Sequence, residues 1–261
     1  MNKHLTDRPA HRGVHPRVVL AVVACLTLTG CATTTPQAPT TASAPSAGNR
    51  PAVDAAMLRP PGTTVDFQPY PSVAAAVDAS TYAVTGTITR WLPGRTVAAE
   101  DDGALDRSLF AVLEVSVTSD HGQTAAPQTL EVEVRRGQDT ADSEGRQTTD
   151  EDERGFMYRT VDELQAAAPP GTRVVVIATA APSTKQLEGE GNLVDVPTEG
   201  ARPDVTLVRP LPQGLLLEAA DGTLVSGVGE LPDVLVGDWP GAQDPTHATF
   251  DALLAALGAH H

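Results

Sequence analysis

The chain reads as a mainly β protein with minor α: a small antiparallel barrel or sandwich with one short internal helix and a C-terminal helix. Three observations predict it. Short segments alternate apolar and polar residues with a period of two, the pattern of half-buried strands. Turn residues punctuate those segments, and helical spacing is confined to two places. The composition, 41% hydrophobic and 20% charged with 22 glycines and 22 prolines in 261 residues, fits a globular chain. It excludes a fibre, a wholly disordered chain and a polytopic membrane protein.

The first strand is expected at Tyr82–Thr89, where Tyr82, Val84, Gly86 and Ile88 alternate with Ala83, Thr85, Thr87 and Thr89. One face is apolar and the other rich in threonine, and Gly86 in the middle marks a bend or bulge. Asp101-Asp102-Gly103 reads as a turn. Leu109, Ala111, Leu113, Val115 and Val117 then share one side of a second strand. The sharpest alternation is Leu130-Glu131-Val132-Glu133-Val134, a third. Thr160 and Glu163 form a capping box opening a helix over Val161–Ala167, which Pro169-Pro170-Gly171 ends. Val174-Val175-Val176-Ile177 is an unbroken apolar run, which predicts a strand buried on both faces. Two further strands are expected around Val205–Val208 and Leu215–Glu218, and Asp221-Gly222 turns the second into Thr223-Leu224-Val225. Phe250, Leu253, Leu254 and Leu257 fall at i, i+3, i+4 and i+7, with Gly258 as the stop, so a final helix lays one face on the sheet. This order of strands and helix resembles the OB-like barrels of netrin-like type, with no diagnostic motif beyond the order itself.

The first thirty residues read as an address. Lys3, Arg8, Arg12 and Arg17 precede an uncharged run from Val18 to Leu28, the layout of a secretory signal. That run is too short for a membrane span, which needs roughly 20 residues. It ends in Leu28-Thr29-Gly30-Cys31, which resembles the lipobox of bacterial lipoproteins. The resemblance implies cleavage between Gly30 and Cys31 and a diacylglycerol thioether on Cys31. The thiol is the strong nucleophile such an alkylation requires, and a diacyl anchor holds without help from protein charge. Cys25 lies in the discarded segment, so no thiol would remain for a disulfide or metal. Residues 31–65 open with a Thr/Ala/Pro/Ser-rich stretch lacking any large apolar side chain before Pro51, and read as a disordered tether. Residues 66–261 are then one extracytoplasmic domain on the cell membrane.

Charge narrows the partners. Eighteen basic against 33 acidic residues give −15, which argues against nucleic acid, since phosphate binding needs clustered cations. Removing residues 1–30 takes four basic residues and one acid, leaving the rest more acidic still. The expected partners are the membrane, through the lipid, and an envelope protein or small ligand. No nucleophile elbow, zinc-helix motif or phosphate loop is present, so no catalytic residue, metal ligand or cofactor is assigned. His121 and His247 read as solvated, and the acidic run from Asp139 to Glu153 lacks the ligand alternation of a calcium loop. Arg90, Trp91 and Arg95, expected in a loop after the first strand, could contact a ligand, with packing as the other reading of Trp91. An envelope hydrolase using carboxylates such as Asp162, Glu163 or Glu218 is the alternative to a binding module, and a solute-binding component is another.

Overall fold

Seven strands form one sheet that closes on itself. The computed structural model describes residues 50–59, 67–101, 103–142, 144, 146–148, 158–197 and 207–259. The signal, Gly30, Cys31 and the tether as far as residue 49 lie outside the described residues, as do Asp150–Glu153 and the terminal His260-His261. The strands are β1 (Tyr82–Asp101), β2 (Ala104–Asp120), β3 (Thr129–Asp142), β4 (Arg173–Ala180), β5 (Leu193–Asp195), β6 (Leu207–Glu218) and β7 (Leu224–Ser226). Following hydrogen-bonded neighbours, β1–β2–β3–β6–β4–β1 is a closed five-stranded ring, with β5 added on β1 and β7 on β6. All pairs are antiparallel except the short β3–β6 contact, Glu131 with Leu207 and Val132 with Val208, which is parallel. The result is an OB-like barrel, with helix α3 (Val161–Ala167) between β3 and β4.

Alternation explains the interior. Val84 and Ile88 of β1, Ala111, Leu113 and Val115 of β2, and Leu130, Val132 and Val134 of β3 meet inside the ring. Leu164, Ala167 and Ala168 of the α3 region pack into the same core. The capping box is formed: Thr160 Oγ1 accepts from the Glu163 backbone N–H, and Glu163 accepts from the Thr160 backbone N–H at 2.7 Å. Leu58, from helix α1 (Ala55–Leu58), joins this core while only 2% exposed. The packed body therefore takes in residues ahead of Asp66. One helical turn is too short to give a periodic signal, so its sequence reads like tether.

A second core lies outside the ring. Val174, Val176 and Ala178 of β4 point inward, whereas Val175 and Ile177 meet Leu216, Leu224, Phe250, Leu253 and Leu257 on the outer face. Helix α2 (Val73–Asp78) and the final helix α6 (Phe250–Gly258) cover that face, so β4 is apolar on both sides. Burying each such leucine or phenylalanine contributes about 1.5–3 kcal/mol. Two further short helices are α4 (Thr184–Gly189) ahead of β5 and α5 (Leu231–Val234) after β7. The strands expected at Val205–Val208 and Leu215–Glu218 are one continuous β6 over the described residues, and Asp221-Gly222 makes the predicted turn with Gly222 at φ 86°.

The long β1 departs most from expectation. Arg90–Arg95 is strand, not loop, with register shifts at Ile88/Arg90 and Pro93/Thr96. Proline and glycine are turn residues by composition, but a bulge tolerates both. Gly94 sits so close to β2 that a Cβ would meet the Phe110 carbonyl at 2.8 Å. Gly86 is the expected bulge, with a register shift at Thr85/Gly86, and a Cβ there would collide with Val115 Cγ1 and the Ser116 carbonyl.

Two predictions follow from this packing. Gly86→Ala should destabilise the fold by about 1–3 kcal/mol through overpacking, measured by urea denaturation. The Thr160 backbone N–H holds the Glu163 carboxyl below its ordinary value. That cap contribution is complete above the unfolded carboxylate range of about 4.3 and fades as pH falls through the lower folded value. Glu163→Gln should therefore flatten the acid limb of the melting-temperature profile below that range.

Candidate functional site

Antiparallel register builds a cleft of about 500 Å³ on the outer face of the barrel. Val174 pairs with Leu217, so the next residues out, Arg173 at the start of β4 and Glu218 at the end of β6, stand opposite one another. On the other side of β4, Thr87 of β1 is registered with Arg173. Thr87, Arg173 and Glu218 thus form a polar row across three neighbouring strands. Thr85 and Gly86, the β2 residues Thr118 and Ser119, and His121 just beyond β2 extend the wall. Leu254 of α6 and the Arg50-Pro51 segment close the other sides.

The polar groups of this cleft are held by specific bonds. Glu218 is only 3% exposed, and its carboxylate accepts from Arg173 Nη1 at 3.1 and 3.0 Å. Arg50 reaches the same carboxylate, Nη1 to Oε1, at 3.2 Å. A carboxylate this buried is tolerated only when cations and hydrogen bonds replace its water. Arg173 also lies over the Phe250 ring, 4.7 Å from its centroid, which fixes the guanidinium against α6. Thr85 Oγ1 and His121 Nε2 are 3.0 Å apart, and Thr118 Oγ1 donates to the Thr85 carbonyl at 3.1 Å. Two guanidiniums against one carboxylate make the cleft locally cationic within a chain of net charge −15.

A second ionic cluster sits on another part of the barrel's outer surface. Glu133 of β3, whose side chain is fully buried, accepts from Arg95 Nε at 2.6 Å and Nη2 at 3.1 Å, and from Arg209 Nη2 at 2.6 Å. Arg95 donates its remaining Nη1 to the Pro182 carbonyl, while Arg209 lies over the Phe110 ring. This triad ties β1, β3 and β6 and the segment after β4 together, and its donors are committed inward. Nearby in the same sheet, Arg107 forks onto buried Asp139, 2.6 Å from Nε to Oδ1, and that hydrogen bond raises the Arg107 pKa.

The structure does not gather Arg90, Trp91 and Arg95 into one site. Trp91 is a core residue whose Nε1 donates to the Ala168 carbonyl at 2.8 Å, joining the end of α3 to the barrel. Arg90 is half exposed and bonds Glu114, whereas Arg95 is held by Glu133. Asp162 and Glu163 are exposed on α3, and of the three carboxylates considered for hydrolysis only Glu218 lines the cleft. Trp239 is buried, with its Nε1 on the Tyr70 carbonyl. Among the described residues no group of three His, Cys, Asp or Glu side chains is placed to hold a metal ion. Sequence reasoning assigned no site role to Arg50, Arg173, Thr85 or Thr87, and it read as solvated the His121 that the structure places in the cleft wall. The available signal was the threonine face of β1, together with an arginine directly before one apolar run and a glutamate directly after another.

Compared with known proteins, the chain matches no family model, and no curated protein or solved structure is significantly similar to it. The site must be read from its own chemistry.

The buried triad gives a sharp stability test. Glu133→Ala leaves two guanidiniums facing each other and should cost about 3–5 kcal/mol. Arg209→Gln, with 40% of the arginine side chain already exposed, should cost about 1 kcal/mol or less. Chemical denaturation of both variants checks the difference.

Proposed function

We propose that this protein is a lipoprotein held on the extracytoplasmic face of the cell membrane through acylated Cys31, and that its OB-like domain is a binding module with its ligand in the Arg173–Glu218 cleft. The basic n-region, the apolar run and Leu28-Thr29-Gly30-Cys31 support the anchor. The observation that carries the binding reading is the cleft itself. Hydrogen-bonding groups from β1, β2, β4, β6 and the N-terminal segment converge on one concavity around a buried, doubly paired carboxylate. Clefts of this size with a few fixed polar groups are where small molecules bind. The acidic body supports a position away from anionic lipid heads.

A hydrolase reading finds no comparable support. Glu218 is clamped between two guanidiniums, so its carboxylate oxygens are engaged in pairing these side chains.

Two measurements test the proposal. Radiolabelled palmitate should label the native chain and not Cys31→Ser, which should leave the membrane fraction; an unlabelled native chain removes the anchor. Thr87→Trp should fill the cleft and abolish the chemical-shift changes that a panel of neutral and charged envelope metabolites induces in the full chain. Changes that persist in a folded Thr87→Trp protein, or their absence with every panel member, remove the binding site.

A further inference from the structure

Resting on that reading of the cleft, we infer that its ligand carries an oxyanion, a carboxylate or a phosphate, and that Arg50 and Arg173 receive it. The cleft holds two guanidiniums and a single carboxylate from the described residues, so one positive charge is left over. A cationic ligand would meet that surplus, and an anion would neutralise it. Because the surplus lies in a concave, partly dehydrated wall, its attraction is screened less than that of a surface charge.

A guanidinium carries five N–H groups in a planar fork. Among the described residues Glu218 engages Arg173 only through Nη1, and Arg50 also approaches it through Nη1 alone. The Nε–H of Arg50 is buried and has no acceptor. An orphaned donor of this kind costs roughly 1–3 kcal/mol. A carboxylate or phosphate is the group that accepts two guanidinium N–H groups at once, and turning the Arg50 fork toward one would satisfy that orphan.

Thr87 and Ser119 present hydroxyls, and Thr118, having donated its proton to the Thr85 carbonyl, presents an acceptor. Among the described residues neither Trp, Tyr nor Phe lines the cleft, so they offer no stacking platform of the kind typical of a neutral-sugar site. The arrangement suits an acidic polar molecule of about monosaccharide size, its oxyanion on the arginines and its hydroxyl or amide groups on the threonine wall.

The test is calorimetric titration of the full-length protein in detergent with glucuronate, glucose 6-phosphate, inorganic phosphate and glucose at one ionic strength. At least one of the two acidic sugars should bind at least tenfold more tightly than glucose, and whichever does identifies the oxyanion as carboxylate or phosphate. Arg50→Gln should weaken that binding about tenfold, the scale of one charge-assisted fork, and Arg50→Lys, which keeps the charge but loses the fork, should fall between Arg50→Gln and the native protein. Unchanged circular dichroism and melting temperature would show that Arg50→Gln is folded. Should inorganic phosphate bind as tightly as glucose 6-phosphate, the threonine wall is not part of the recognition, and the oxyanion assignment to the arginines stands alone. Glucose binding as tightly as both acidic sugars, or acid binding untouched by Arg50→Gln, overturns the inference. If glucose binding is also lost in Thr87→Trp, the cleft survives and only the ligand class fails. No binding by any of the four probes overturns the inference as well.

Discussion

The structure depends on one strand belonging to two cores. β4 contributes Val174, Val176 and Ala178 to the barrel interior, and Val175 and Ile177 to the layer under α2 and α6. A strand with no polar face has no solvent register to fall back on. Both of its faces must therefore be covered, one by the barrel interior and the other by the helical layer. The closed ring follows from this, and so does the second layer, because outward-facing Val175, Ile177 and Leu216 need apolar partners. Phe250, Leu253 and Leu257 provide them, fully buried on the face opposite the ring.

The same strand positions the cleft. Apolar pairing of β4 with β6 stops after Val174 and Leu217, and the chemistry changes at the next step, where Arg173 faces Glu218. The ion pair is thus fixed by the register of the hydrophobic residues beside it rather than by its own attraction. Anchoring Arg173 over Phe250 joins the outer layer to the site, so the helix that covers the sheet also holds a guanidinium in place. The Glu133 triad is built the other way. Its donors point into the protein and tie strands together, and its chemistry is spent on structure.

Much of the fold was legible because its signals are local. The alternation of Leu130–Val134, the capping box at Thr160 and Glu163, the Asp221-Gly222 turn and the bulge at Gly86 each need only a few adjacent residues. The two-faced burial of β4 was readable from its uninterrupted run of Val and Ile. Arg90–Arg95 misled because Pro93 and Gly94 are turn residues by composition, while the structure uses them at bulges inside a strand. The site was harder to see. Arg50, Thr87, Arg173 and Glu218 come from four distant segments, and what unites them is sheet register, a property of pairing that a linear pattern does not contain. The threonine face of β1 was visible, but an outward polar face is the ordinary lot of a half-buried strand, and nothing local distinguishes a cleft wall from a wetted one.

The entry of the chain into the domain has a mechanical consequence. Residue 50 lines the cleft, the Asp54 backbone N–H donates to the Ala167 carbonyl at 2.8 Å, and Leu58 is embedded among the barrel residues. Tension applied from the N-terminal side is therefore borne first by the Arg50–Glu218 contact, before it reaches the buried leucine that acts as the stop. Because that contact faces the cavity, a pull that parts it would reshape the cleft before it reaches the barrel core.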